Sequence, residues 1–292
     1  MLWVGLAVLS AVFTAMFYLI NQYYKQSGLL IVFISRILIV LCMMPVWFFV
    51  DLPRNPSFYV IVFLSAILGV YGDVKMMDAV ARFGGGVVSR LQPFTLILAF
   101  MLWFLFMPSL LEVYYAEGPV ALGIVFSIVM AVFFASRLRK IPVQKEAIMM
   151  TAPALVAYAL AICMNKLAMN EESLTSGVYG YMFFQSLFAI PLCYGVMLYQ
   201  KHEMVLKPAE ILKQKMLMRA GVLMFIAWFF HMVFKMYAVG MTINPSYVAT
   251  INLIAPLFII LFYKLTGHKE TADVKNGLGI LVCAFMLAVL TL

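Results

Sequence analysis

Charge is scarce in this chain of 292 residues: Asp, Glu, Lys and Arg make up 11% of it, against about 25% in soluble globular domains. Acids are the scarcer sign, 12 against 20 Lys and Arg. A chain so poor in charge, with 66% hydrophobic residues and a mean hydropathy of +1.05, is excluded as a soluble enzyme, a disordered segment or a nucleic-acid-binding domain. No stretch is polar enough to form an aqueous domain. Catalytic and energy-coupling motifs are missing as well. There is no Gly-rich loop followed by Lys-Ser/Thr, no HExxH, no GxSxG and no Cys/His metal spacing. The chain is therefore expected to be no enzyme and to need no cofactor or metal. Its four cysteines, Cys42, Cys163, Cys193 and Cys283, sit in apolar runs without a CxxC pair and read as small packing residues.

What is present is membrane-spanning sequence. About 20 apolar residues cross a bilayer as a helix, and apolar windows predict ten such spans. They cover residues 3–22, 29–50, 58–77, 84–106, 119–135, 147–168, 174–199, 219–240, 246–265 and 274–291, the fifth being the shortest. The first, lacking a basic n-region and a small-residue cleavage site, reads as a retained span. The longest connection, 200–218, reads as either a helix lying at the membrane interface or a solvated loop. The fold class predicted is all-α integral membrane.

Landmarks recur in order along the two halves. Asn21 matches Asn165, Pro45 matches Pro191, Val74-Lys75-Met76 matches Phe234-Lys235-Met236, Pro93 matches Pro256, and Gly123 matches Gly279. The offset drifts mainly in the loops, as a duplicated five-span unit would have it. The units are 1–140 and 141–292. Because five is odd, the copies enter the membrane from opposite sides. They are inverted repeats, an arrangement that gives a carrier two related states open to opposite sides.

The second half reads Ala238-Val-Gly-Met-Thr-Ile-Asn-Pro-Ser-Tyr-Val-Ala-Thr250, then Ala255-Pro-Leu-Phe258, then Gly267-His-Lys-Glu270. This resembles the EamA-type unit of the drug/metabolite transporter superfamily: a small-residue approach, a span with a central Ser/Ala-Pro, and a Gly-Glu step at its end. The first half keeps Pro93, with Gln92 before it, and Glu112 follows without a Gly. The resemblance implies a secondary transporter with a cavity between the halves, lined by spans 1–4 and 6–9. It further implies that spans 5 and 10 sit peripherally or at a homodimer contact. It implies no particular substrate.

Fifteen of the twenty basic residues fall in or beside the loops joining spans 1–2, 3–4, 5–6, 7–8 and 9–10. They are Lys25, Lys75, Arg82, Arg137, Arg139, Lys140, Lys145, Lys201, Lys207, Lys213, Lys215, Arg219, Lys264, Lys269 and Lys275. The positive-inside rule puts those loops in the cytoplasm and both termini outside. The resemblance implies cytoplasmic termini; the charge count is the reading followed here. Much of the net charge of +8 thus reports orientation.

Of the other five basic residues, Arg54 lies in the loop joining spans 2 and 3, Lys166 ends span 6, and Arg36, Arg90 and Lys235 lie within spans, where an ionisable group costs about 2.5–3.5 kcal/mol on insertion scales and marks function by default. Arg36 either pairs with Asp73, at a compatible depth, or meets a substrate. Arg90 and Lys235 have no acid nearby in sequence and are read as facing the cavity. His231, four residues before Lys235, shares its helix face and reads as a proton-coupling group or a packing histidine. Lys75, Asp78 and Arg82 read as interfacial. Pro93 and Pro256 each remove a backbone donor and break their helices. Asn252 stands one turn before Pro256 as Ser89 does before Pro93, so both side chains either face one pocket or bond helix backbone. Tyr18, Tyr71, Tyr158, Tyr179 and Tyr181 are further candidates for a polar cavity.

The cationic balance inside the spans favours a substrate bearing a carboxylate or phosphate. The expectation is a carrier of a small anionic or zwitterionic metabolite, such as an amino acid or related compound, in a bacterial inner membrane. Arg36, Arg90 and Lys235 would hold the anionic group, while Asn21, Asn165, Gln185 and Asn252 would hydrogen-bond the rest. The competing readings are a broad exporter of amphipathic compounds and a non-transporting assembly or lipid-handling protein.

Overall fold

The computed structural model describes residues 2–138, 144–200, 213–266 and 273–291, with the side chains at 85, 86 and 89 excepted. The boundary between the two expected units, the Gly267–Glu270 step, the Ser89 side chain and most of 200–218 lie outside the described residues. Among the described residues the chain is helical, without strands. Its helices are α1 (Leu2–Tyr24), α2 (Gly28–Met43, continued by a tighter turn at Met44–Phe48), α3 (Pro56–Phe83), α4 (Gly85–Leu91), α5 (Pro93–Phe106), α6 (Ser109–Ala116) and α7 (Gly118–Arg137). The second half has α8 (Lys145–Glu171), α9 (Leu174–Tyr199), α10 (Lys215–Met241), α11 (Pro245–Asn252), α12 (Ala255–Leu265) and α13 (Val274–Leu290).

Among the described residues eight helical segments are long and apolar enough to cross a membrane, with α11 and α12 counted together. The chain is thus a multi-pass integral membrane protein. A ninth span results if α5 and α6, bent by 109° to each other, are taken as one. The expected fourth span, 84–106, is divided, and α13, in the expected tenth, is a shorter apolar helix of 17 residues.

The breaks have local causes. Gly84, with φ +84°, separates α3 from α4 in a conformation open to glycine. Pro93 and Pro256 lack the donor that would bond one turn back. Accordingly α4 stops at Leu91 and α11 at Asn252, and each proline stands in the first turn of the next helix. At the second break Leu253 and Ile254 N–H bond only three residues back, to Thr250 and Ile251. Prolines do not all act alike. Pro45 begins the tight turn after α2, whereas Pro191 is carried inside α9. Three helix starts are capped by side chains: Asn55 accepts from Ser57 N–H, Asn244 from Ser246 N–H, and Asp273 from Lys275 N–H. Each removes one orphan donor from a helix end.

Helix packing follows a paired pattern. Helix α1 lies along α10, and α3 along α8; α2 packs on α9, and α7 on α13. Helix α2 also meets α10, as α3 meets α9, while α1 meets the broken α11–α12 and α8 meets the broken α4–α5. Small residues make these seams close. On α1, Ala7, Ser10, Ala11 and Ala15 form one buried stripe, the spacing at which one helix face meets a neighbour. On the α7–α13 seam the fit is reciprocal. A Cβ added to Gly123 would lie 2.8 Å from Leu290 Cδ1, and one added to Gly279 would lie 2.6 Å from Phe134 Cδ2.

Candidate functional site

A cavity of about 190 Å³ is lined by residues from both the N-terminal and the C-terminal parts of the chain. Among the described residues its wall draws on α1, α2, α3, the α4–α5 break and the start of α5, α8, α9, α10 and α11, and on neither α7 nor α13. Glycines thin the wall on α3. A Cβ at Gly72 would come within 2.9 Å of the Tyr158 ring, and one at Gly69 within 2.8 Å of Gln185 Nε2.

Arg36, 1% exposed, dominates one side of the cavity. Its Nη2 ion-pairs with Asp73 Oδ2 at 2.5 Å, its Nη1 donates to Gln185 Oε1 at 2.9 Å, and its guanidinium lies 4.0 Å from the Trp228 ring centroid. The Tyr158 hydroxyl donates to the other oxygen of Asp73 at 2.8 Å. Five helices, α2, α3, α8, α9 and α10, therefore converge on one buried pair. Of the two readings for Arg36, the ion pair is the one present, and it sits in the cavity wall.

Beside it is a second polar cluster. Tyr181 hydroxyl donates to Asn165 Oδ1 at 2.5 Å and also meets Ser65 Oγ at 2.5 Å. Opposite, on α10, His231 Nδ1 lies 2.9 Å from Thr14 Oγ1 and 3.0 Å from Ser10 Oγ. The Thr14 hydroxyl donates to Ser10 O at 3.0 Å. Toward His231 it therefore accepts, which puts the ring hydrogen on Nδ1 and leaves Nε2 an acceptor. One turn further, Lys235 lines the cavity. Among the described residues Lys235 forms no ion pair or hydrogen bond, although Asp73 is within electrostatic reach. Asn252 ends α11 at the cavity, its Oδ1 buried without a partner.

Of the expected site residues, Arg36, Lys235, Asn165, Gln185, Asn252 and His231 come together around this space. Two stand elsewhere. Arg90 on α4 donates its Nε–H to Ser136 O at 3.0 Å, at the end of α7. Asn21 donates to Met77 O at 2.9 Å, tying α1 to α3. Asn21 lies on the spanning helix α1 and Arg90 on the seven-residue α4, and each is turned toward a neighbour's carbonyl and not toward the cavity. Pro93 directly follows the cavity residue Gln92, and Pro256 stands one turn beyond the cavity residue Asn252. Tyr18, Tyr158 and Tyr181 line the cavity and Tyr71 and Tyr179 do not; Tyr71 is 44% exposed, and Tyr179 meets Tyr237 edge-on.

Sequence reasoning passed over Trp228, Thr14, Gln92 and Thr95. Trp228 had a signal: it precedes His231 by three residues and Lys235 by seven, the spacing of one helix face. Thr14 likewise stands four residues before Tyr18. The wall can bind an anion through Lys235 and offers acceptors at Asn252 and His231. Asp73 is committed to Arg36 and Tyr158. A scan against models of known protein families finds no match for this chain, and a search of curated proteins finds none.

Proposed function

We propose that the chain is a secondary carrier of the drug/metabolite type, which moves a small anionic or zwitterionic metabolite, such as an amino acid or related compound, by alternating access. In this reading ten helices form two inverted five-helix repeats, with the broken α4–α5 as the fourth span and α13 as the tenth. The paired packing supports it: when the halves are exchanged, each of the helix contacts named above becomes another of them or itself. The reciprocal glycines support it too, since the offset of 156 that carries Gly123 to Gly279 also carries Phe134 to Leu290. The membrane is read as a bacterial inner membrane, with both termini outside.

The observation that carries the substrate class is Lys235. The cavity wall holds two cations, Arg36 and Lys235, against one carboxylate, Asp73, which is already paired. A buried cation is costly without an anionic partner, and a substrate carboxylate would supply one. Asn252 Oδ1, buried and unbonded, would accept from an N–H or O–H of the same molecule. His231 would pass a coupling proton through Nε2. The size of the cavity weighs against a broad exporter of amphipathic compounds. Drug-sized ligands occupy pockets of about 300–1,000 Å³, and this one is about 190 Å³.

The test is a thermal-shift screen of the purified protein against amino acids, sugar phosphates, nucleotides, polyamines and amphiphiles, followed by uptake into proteoliposomes. Stabilisation and uptake confined to small carboxylates are expected. Stabilisation by many unrelated amphiphiles, or by lipids alone, would overturn the assignment.

A further inference from the structure

A second cavity, of about 230 Å³, lies apart from the central one, among the ends of α1, α6, α10, α11 and α13 and the early turns of α7. Its composition is opposite in sign. Among the described residues no Lys, Arg or His lines it, in a chain with 20 Lys and Arg. Among the described residues its one charged group is Glu117, the exposed residue that ends α6. Glu117 forms no ion pair among the described residues. The phenol groups of Tyr114 and Tyr247 are hydrogen-bonded to each other in the wall, and Trp3 stands against Tyr247 with ring centroids 6.5 Å apart. Ile124 and Leu290 contribute apolar surface.

A carboxylate beside three aromatic rings, with apolar surface and, among the described residues, no competing cation, matches one chemistry. Aromatic faces attract a cation within about 6 Å of the ring centroid, most strongly where water is displaced, and aromatic cages hold alkylammonium groups in this way. A bare metal ion fits less well. No group of three or more His, Cys, Asp or Glu that could hold a metal stands among the described residues, and rings and aliphatic side chains offer a hard cation nothing. The volume exceeds the roughly 150 Å³ of an apolar cavity that takes up benzene, so a compact organic cation fits. We propose that this cavity binds an alkylammonium group through Glu117, Trp3, Tyr114 and Tyr247, supplied by a free organic amine or by a lipid headgroup. The site is independent of the central cavity and of the cargo read there.

The test is calorimetric titration of the full-length protein in detergent with tetramethylammonium chloride, using potassium chloride at equal ionic strength as the blank. Saturable binding is expected. Glu117→Gln should weaken it tenfold or more, Trp3→Leu should weaken it severalfold, and Lys235→Met should leave it unchanged. Circular-dichroism melts establish that each variant is folded; Glu117 is exposed, so its substitution is expected to spare the fold. Repeating the titration in nanodiscs separates the sources. Binding equal in phosphatidylglycerol and phosphatidylethanolamine discs identifies a free amine, whereas suppression by phosphatidylethanolamine identifies the headgroup. Absence of saturable binding, or binding that is indifferent to Glu117→Gln in a folded protein, overturns the proposal.

Discussion

Arg36 and Asp73, on neighbouring helices, meet at 2.5 Å inside the cavity wall, with Trp228 covering the guanidinium. Removing one member of a buried pair strands the other charge, at about 3–5 kcal/mol. Asp73→Ala is expected to lower stability by that order, measured by denaturant unfolding in detergent. Replacing both, as Arg36→Met with Asp73→Leu, should recover most of the loss. A double variant as unstable as the single one would mean that shape, not stranded charge, sets the cost.

Tyr158→Phe tests the same cluster more gently. It removes the donor to Asp73 Oδ1 but keeps the ring that fills the space beside Gly72. Hydrogen bonds between membrane helices contribute about 0.6 kcal/mol on average and about 1.7 at most. The expected loss is within that range, well below that of Asp73→Ala. An equal loss would assign the stability to the phenol.

On the α7–α13 seam, Gly279→Leu must displace the Phe134 ring, which already stands where the new Cβ would go. Overpacking of this kind costs about 1–3 kcal/mol. Phe134→Ala should offset part of it, and because neither helix lines the central cavity, uptake by the folded fraction should be unchanged. Melting curves and uptake rates of the single and double variants check both parts.

Lys235→Met should reduce the affinity for a carboxylate cargo about ten- to a hundredfold, since hydrogen bonds to charged groups contribute about 1.5–3 kcal/mol. Lys235→Arg should retain part of it. Arg90→Lys, a change outside the cavity wall, should leave the affinity as it is. Competition binding to purified protein reads all three. Wild-type affinity in Lys235→Met would remove the central argument for an anionic cargo.

His231 offers a separate readout. In His231→Gln, downhill counterflow of cargo should persist while accumulation driven by an imposed proton gradient is lost. Proton-driven accumulation at the wild-type level in this variant would make His231 a packing residue, held by Ser10 and Thr14.

Much of the site was legible in the sequence because polar residues stand out against an apolar background. His231 and Lys235, four residues apart, line the same cavity, and both helix breaks fall just before the prolines that suggested them. The misplacements share one cause. Arg90 within the fourth span and Asn21 near the end of the first stand out as polar groups, but their direction is not readable from the sequence. A helix that is apolar nearly all round carries little information about which face turns inward. Neighbouring helices decide that, and here they turn Arg90 to Ser136 and Asn21 to Met77.

By itself, then, the sequence determined that the chain crosses the membrane many times, where its helices must break, and which few residues carry charge into the apolar layer. Those follow from transfer free energy and from the missing proline donor, which act residue by residue. The tertiary structure decided which of the charges are neutralised. Asp73 serves Arg36 and not Lys235 because packing α2, α3, α8 and α10 around Gly69, Gly72 and Trp228 brings those two groups into contact. Such a pairing depends on the rotation and register of whole helices, which no local stretch of chain encodes.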